Sequence, residues 1–237
     1  MIKLREEILE DIRGLADEKY KEFHSGLCPE TDNILGVRVP VLRKYAKQLS
    51  DFCWERNYRN IGNEYYEETL LKGMILGYAK TDIENRLNYI ENFVPLIDNW
   101  AVCDITCAGF KFIKKNQNTM LKFITPYFSS DKEFETRFGI VILLDYYLTD
   151  MYIDDAINIL DNIKNTNYYY VKMAIAWAIS IAYIKYPEKL GLYLKDGNNH
   201  LDDDTYNKAL QKIIESNRIN KIEKNKIRKM KRIIRRD

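Results

Sequence analysis

Residues 98–113, DNWAVCDITCAGFKFI, place an aromatic side chain and a carboxylate at helical spacing. Apolar residues at three- and four-residue steps share one helix face. Here that face consists of Val102, Ile105, Gly109, Phe112 and Ile113. Trp100 and Asp104 lie on another face, about 130–160° round at about 100° per residue. Either this second face meets a ligand, or Trp100 packs over the preceding turn, where Asp98 or Asn99 is the expected N-cap.

Two cations near predicted helix starts indicate anion binding. Arg137 and Lys172 lie where the positive end of the helix dipole disfavours a cation. An anion bound jointly by the side chain and free backbone N–H groups would stabilise both, and phosphate is the natural candidate. For Arg137, a structural ion pair with a nearby carboxylate is the alternative. The nearby carboxylates are Asp131, Glu133 and Glu135.

Charged residues recur with a period in the thirties inside strongly apolar segments. The segments are EETLLKGMILGYAK (67–80), NWAVCDITCAGFKF (99–112), FETRFGIVILLDYY (134–147) and YYVKMAIAWAISIAY (169–183), which carry Lys72, Asp104, Arg137 and Lys172 at spacings of 32, 33 and 35 residues. A step of 34 back reaches Arg38, and a step of 36 forward reaches Lys208. Two helices per period predict an α-solenoid, whose inner helices line one groove. We therefore expect Asp104, Arg137 and Lys172 to line that groove.

The elements that must position these residues are helices. Ten glycines and five prolines interrupt the chain, and no long stretch alternates apolar and polar residues. Periodicity predicts helices over 2–15, 17–24, 38–50, 64–80, 83–93, 99–115, 118–127, 132–148, 152–163, 168–185, 187–195, 202–216 and 219–235. The stretch 24–40, with Pro29 and Pro40, is predicted to be a loop that leads into a helix at Pro40.

Composition excludes several classes of protein. Four scattered cysteines do not make a secreted disulfide framework, and two distant histidines are poor material for a zinc site. The N-terminus MIKLREEILEDIR is charged rather than an apolar signal segment. The most apolar run, residues 173–184, is too short to cross a bilayer. These features predict a soluble, intracellular chain of 237 residues.

Positive charge is concentrated at the C-terminus. From Arg218 to Asp237 the chain has ten of its 37 Lys and Arg but only two of its 35 Asp and Glu, a net charge of +8 on a body of −6. This distribution indicates contact with a polyanion or an acidic surface, or else a solvated terminal helix. An apolar stripe predicts that the segment docks on the body. The stripe consists of Ile219, Ile222, Ile227, Met230 and Ile233.

An ordered set of these motifs resembles the AlkD-like DNA alkylation repair glycosylases. The set is NWAVCD, the arginine of ETRFGIVILL and the tryptophan of YYVKMAIAWAIS, with further similarity in KYKEFHSGLCPETDNILGVRVPVLRK and NKALQKIIESNRI. The resemblance implies an all-α superhelix of HEAT-like helix pairs, one domain over residues 1–237 with a basic C-terminal helix over 218–237. It also implies a catalytic cleft formed by Trp100, Asp104, Arg137 and Trp177, although Trp177 by itself would be expected in the core.

The resemblance implies base excision repair by a hydrolase that removes N3- and N7-alkylated purines without flipping them into a deep pocket. Asp104 would stabilise positive charge on the deoxyribose and position water, and the tryptophans would offer their π faces. The expected phosphate contacts are Arg137, Lys172, Lys72, Arg38 and Lys208. Duplex DNA with alkylated bases is the expected partner of a cytoplasmic monomer that needs no metal or organic cofactor and associates with the nucleoid when bound.

A second function stays open at this point. The stretch 24–40 resembles a sub-branch of the family, and a net charge of only +2 is modest for a duplex binder. The alternative is a non-catalytic protein that binds DNA structures or acts as a scaffold through the same groove. A protein-binding solenoid is less favoured, because Arg137 and Lys172 pair naturally with phosphate.

Overall fold

The computed structural model describes residues 2–164, 166–195 and 197–233. Within these ranges it contains fourteen α-helices and no strand. The helices are α1 (Arg5–Gly14), α2 (Glu18–Leu27), α3 (Val39–Ser50), α4 (Trp54–Asn60), α5 (Tyr66–Tyr78), α6 (Ile83–Phe93), α7 (Trp100–Gly109), α8 (Gln117–Ile124), α9 (Glu133–Tyr146), α10 (Ile153–Asp161), α11 (Tyr169–Lys185), α12 (Pro187–Tyr193), α13 (Asp203–Glu215) and α14 (Lys221–Arg228). Short 3-10 turns cover Val94–Leu96, Lys111–Lys115 and Thr125–Ser129.

The predicted all-α class is confirmed, and the chain forms two compact units, Met1–Asn116 and Gln117–Asp237. In the first unit α3 packs on α5 and α5 on α7, and in the second α9 packs on α11 and α11 on α13. These are the helices that the repeat of charged positions singles out. Within each unit, consecutive repeats therefore place equivalent helices side by side, the arrangement of an α-α superhelical repeat fold.

Helices α5, α9 and α11 are buried deeply because they are apolar on nearly every face. In α9 ten of the fourteen residues are buried, and in α11 nine of seventeen are. A helix that is apolar all round must have neighbours on several sides. Glycine permits the closest approach in the first unit: a Cβ atom on Gly73 of α5 would lie 2.7 Å from Cγ2 of Thr106 on α7.

The predicted helix over 99–115 is wrong in extent. The α-helix α7 ends at Gly109, and Phe110, fully buried with ψ of 53°, turns the chain into a 3-10 segment. Phe112 and Ile113 therefore do not continue the stripe that begins at Val102. Glycine is a poor helix former, and the burial of Phe110 fixes the break.

Three other boundaries also differ from the prediction. Helix α2 continues to Leu27, so the loop begins at Cys28 rather than at residue 24. Helix α4, which the prediction omits, has only seven residues and follows Cys53, which has a positive φ of 47°. The last helix ends at Arg228 rather than at 235, and residues 234 and 235 lie outside the described part of the chain.

Among the described residues, no helix has the length and apolar character needed to cross a lipid bilayer.

Candidate functional site

Helix α7 presents the tryptophan and the carboxylate away from its buried face. Asn99 caps the helix, since its side-chain oxygen accepts a hydrogen bond from the Val102 amide at 2.9 Å. Trp100 and Asp104 are only half-buried. The fully buried positions are Ala101, Val102, Cys103, Thr106 and Cys107. The buried face thus runs along Val102, Cys103, Thr106 and Cys107 and not along Ile105 and Gly109 as predicted, and Trp100 and Asp104 lie outside this fully buried set.

Asp104 is the single charged residue of α7. Aspartate costs up to about 0.7 kcal/mol relative to alanine in a helix interior. Position 104 is far from the helix start, where an acidic residue would stabilise the dipole. Neither helix propensity nor the helix dipole therefore accounts for a carboxylate at this position.

The Trp100 ring is held by the end of α2. Its indole Nε1 donates a hydrogen bond to the backbone oxygen of Leu27 at 3.3 Å. Since Trp100 is the first residue of α7 and Asp104 lies one turn later, this bond fixes an aromatic face beside the carboxylate. The contact joins residues 73 positions apart, and nothing in the sequence indicates it.

A buried aromatic cluster fixes the end of α2 that holds Trp100. The His24 ring stacks on Tyr20 at 5.5 Å between centroids and lies 5.0 Å from the Tyr66 ring. Its Nε2 is 4.0 Å from Sγ of Cys28. Burial lowers the pKa of His24, which keeps the imidazole neutral in this packed setting.

Glu67 anchors the loop between α2 and α3. Its carboxylate is fully buried and accepts hydrogen bonds from the backbone N–H groups of Leu35, Gly36 and Val37 at 2.9, 2.7 and 3.0 Å. Three charge-assisted bonds to one carboxylate hold this loop against α5. Gly36 has a φ of +97°, a conformation that favours glycine. Sequence reasoning missed Glu67, although an acidic residue within an apolar helix was the available signal.

The two predicted cations of the first unit differ in exposure. Arg38 is exposed, and its guanidinium pairs with Asp17 Oδ2 at 2.9 and 3.0 Å over the Tyr20 ring. Lys72 is 7% exposed and donates to the Asn63 side chain. Burial lowers its pKa. The surroundings of Lys72 are those of a structural lysine in the α5 layer.

In the second unit, Arg137 lies on α9 and is 5% exposed. Its Nη1 donates to the backbone oxygen of Tyr170, in the first turn of α11, at 2.7 Å. Glu133, one turn earlier, accepts from the Tyr170 amide at 2.6 Å. Arg137 and Glu133 together fasten the start of α11 to α9, and Glu135 pairs with Lys132 at 2.9 Å.

Lys172 and Lys208 share one carboxylate. Asp204 of α13 accepts from Lys172 Nζ at 2.8 Å and from Lys208 Nζ at 2.5 Å. Hydrogen bonding to Lys172, then to Lys208, lowers the pKa of Asp204. Lys172 of α11 and Lys208 of α13 thus lie side by side, and Asp204 offsets part of their positive charge.

Trp177 lies on a half-exposed stripe of α11. It is half-buried, as is Met173 one turn before it, and Tyr169 at the helix start is exposed. Trp177 is therefore neither fully buried nor exposed, and its role in the cleft stays a prediction.

Among the described residues, no group of three or more histidine, cysteine, aspartate or glutamate side chains could hold a metal ion. All four cysteines are free, and Cys28, Cys103 and Cys107 are buried.

Comparison with known proteins gives one finding. Residues 8–213 match a family model described as DNA alkylation repair enzyme. No curated protein and no solved structure gives a significant match to the chain.

Proposed function

Since the chain belongs to the family of DNA alkylation repair enzymes, we propose that it is a DNA glycosylase. Its substrate would be duplex DNA that carries N3- or N7-alkylated purines, with 3-methyladenine and 7-methylguanine as the simplest examples. The observation that carries this proposal is Asp104, the one charged side chain on α7, half-buried and one turn after Trp100.

Alkylated purines of this kind already carry a positive charge, so the base is a good leaving group. As the bond between C1′ and the base nitrogen breaks, its electron pair neutralises the base and positive charge develops on the deoxyribose. A carboxylate fixed on a helix stabilises this charge without having to move. Water stabilises it less well, because water molecules must first reorient around the charge. Water then adds to C1′ and loses a proton, for which Asp104 is the proposed acceptor.

Trp100 would offer the π face of its ring to the developing charge. A cation over an aromatic face gains about 0.5–2 kcal/mol, more where water is excluded. The hydrogen bond from Trp100 Nε1 to Leu27 uses the polar edge of the indole. The ring is therefore oriented before substrate arrives, which reduces the entropy cost of binding.

In the second unit, Trp177 and Arg137 are proposed to contact sugar and phosphate. Trp177 is only partly buried, and an indole ring can stack or make a cation–π contact. Arg137 donates to the Tyr170 oxygen, and a planar guanidinium suits bidentate contact with phosphate. Arg38, exposed beside Asp17, remains the proposed phosphate contact of the first unit.

The test compares base release by the wild type and Asp104→Asn from methylated duplex DNA under single-turnover conditions. We expect the variant to lose roughly 10²–10³-fold in rate, the order found when one fixed electrostatic group is removed. Asp98→Asn, the same change just before α7, should keep the wild-type rate. Duplex binding, measured separately, should survive in both variants.

Equal release by Asp104→Asn and wild type would overturn the catalytic role of Asp104. Measurable duplex binding without release by the wild type would instead support the alternative, a non-catalytic DNA-structure-binding protein of the same family.

A further inference from the structure

The basic C-terminal segment, residues 218–233, lies beyond the family match, which ends at residue 213. It carries eight Lys and Arg and a single acidic residue, Glu223, a net charge of +7. Helix α14 occupies Lys221–Arg228, and the chain then turns at Lys229 and Met230. The family match leaves this concentration of charge unexplained.

Specific contacts fix the segment on the second unit. Ile227 is 1% exposed, whereas Ile222 and Ile233 of the predicted stripe are exposed. The Tyr183 hydroxyl of α11 donates to Glu223 at 2.6 Å. Predicted docking is therefore confirmed, but through one isoleucine and polar bonds rather than through the whole stripe.

Arg232 fixes the end of the segment through hydrogen bonds and an aromatic contact. Its guanidinium donates to the Leu201 oxygen at 2.8 Å and to Asn199 at 2.9 Å, and stacks over the Tyr206 ring at 3.9 Å. The Asn207 side chain bonds both the amide and the carbonyl of Arg232, at 2.9 and 2.8 Å. The segment is thus ordered before any partner binds.

A recess of about 560 Å³ lies between the segment and helices α11 to α13. Tyr206 and Met230 contribute to its lining. Its cationic lining consists of Lys195, Lys226, Lys229, Lys231 and Arg232. Of these, Lys226 pairs with Glu223 at 3.2 Å and Lys231 donates to Gln211 at 2.8 Å.

Several cations of the segment have no counter-charge. The side chains of Lys221, Lys224 and Lys229 make no ion pair or hydrogen bond among the described residues, and Lys221 and Lys229 are exposed. Lys224 and Arg228 are four apart on one short helix, where like charges destabilise by about 0.2–0.5 kcal/mol per pair. A polyanion would convert this repulsion into attraction.

We propose that the basic C-terminal segment binds the phosphate backbone of duplex DNA, at a site separate from the helix that carries Asp104. This inference rests on the proposed function, because it takes duplex DNA as the substrate. A duplex presents closely and regularly spaced phosphates, which match a row of lysines with no counter-charge on a fixed support. The other possible partner of such a patch is an acidic protein surface. If that is the true partner, neutralising the lysines would leave the affinity for DNA unchanged.

The test measures binding of undamaged duplex DNA at several salt concentrations. The proteins are the wild type, the triple variant Lys221→Gln, Lys224→Gln, Lys229→Gln, and a control with arginine at the same three positions. If each lysine neutralises one phosphate, the slope of log K against log salt becomes shallower by about 2.7 in the glutamine variant. The arginine control should keep the wild-type slope. Glutamine and lysine have similar helix propensities, so α14 should persist, which circular dichroism checks.

An unchanged slope in the glutamine variant, with base release intact, would overturn this inference and leave the proposed function standing. Failure of the wild type to bind duplex DNA would overturn both, whereas binding without base release would overturn only the proposed glycosylase activity.

Discussion

The close approach of α5 and α7 gives a sharp test of how the fold positions Asp104. Gly73→Ala places a methyl group against Thr106, with Cγ2 at 2.7 Å and the Phe93 ring at 2.8 Å. Oγ1 of Thr106 is closer still. Contacts this short force α5 and α7 apart, and α7 carries Trp100 and Asp104.

Two opposing effects set the change in the free energy of unfolding of Gly73→Ala. Overpacking of a tight core costs about 1–3 kcal/mol. Replacing a helical glycine by alanine returns up to about 1 kcal/mol. We expect Gly73→Ala to lower the free energy of unfolding by about 1–2 kcal/mol, and Tm falls about 2–4 °C per kcal/mol in a chain of this size.

Thr106→Ala should rescue part of the change, because it removes the two Thr106 atoms that the new methyl group meets, while the Phe93 ring stays at 2.8 Å. The Thr106 hydroxyl is buried and has no hydrogen-bond partner among the described residues, so removing it lowers the free energy of unfolding little. The double variant should regain part of the lost stability, a coupling of about 0.5–3 kcal/mol. Base release should fall in Gly73→Ala and recover in part in the double variant.

Denaturant unfolding measures each variant beside Gly191→Ala, since no atom lies within 4 Å of a Cβ at Gly191. This control should be stabilised by about 0.5–1 kcal/mol. The reasoning is refuted if Gly73→Ala is as stable as Gly191→Ala, or if Thr106→Ala gives no rescue.

Two further predictions concern buried and shared carboxylates. Glu67→Gln should lower the free energy of unfolding by about 1.5–3 kcal/mol, because an amide cannot accept one of the three charge-assisted hydrogen bonds. Denaturant unfolding that shows no loss of stability would contradict the role of Glu67 in anchoring the loop between α2 and α3. For Asp204, the bonds to Lys172 and Lys208 hold its folded-state pKa below the ordinary 3.8. The stabilisation that ionised Asp204 contributes is therefore present above its pKa in the unfolded chain and is lost as pH falls through its pKa in the folded protein. The free energy of unfolding, measured from about pH 6 to about pH 3, should therefore fall less in Asp204→Asn than in the wild type.

The sequence predicts the helical layers well because apolar periodicity dominates local structure. The recurrence from Lys72 to Lys208 identifies α5, α7, α9, α11 and α13, and in each unit these helices pack consecutively. Helix α4 escapes prediction because it has seven residues and follows a left-handed Cys53. Boundaries fail where a single buried side chain, such as Phe110, ends a helix.

The surroundings of the candidate residues depend on contacts far apart in sequence. The bond from Trp100 to Leu27 joins α7 to α2, and Asp204 joins α11 to α13. No local pattern encodes such pairs, because each partner follows its own helical periodicity. Spacing within α7 places Trp100 and Asp104 on one side of the helix, but it did not identify the buried face, which lies along Cys103 and Thr106 rather than Ile105 and Gly109.

Identification of the product tests the central claim most directly. Duplex DNA with radiolabelled methyl groups on its purines is incubated with the protein, and the released material is separated by chromatography. The proposed function predicts label in free 7-methylguanine and 3-methyladenine, with abasic sites in the DNA. Label released without the base, which leaves an intact purine, would contradict hydrolysis of the glycosidic bond, and so would DNA that keeps all its label.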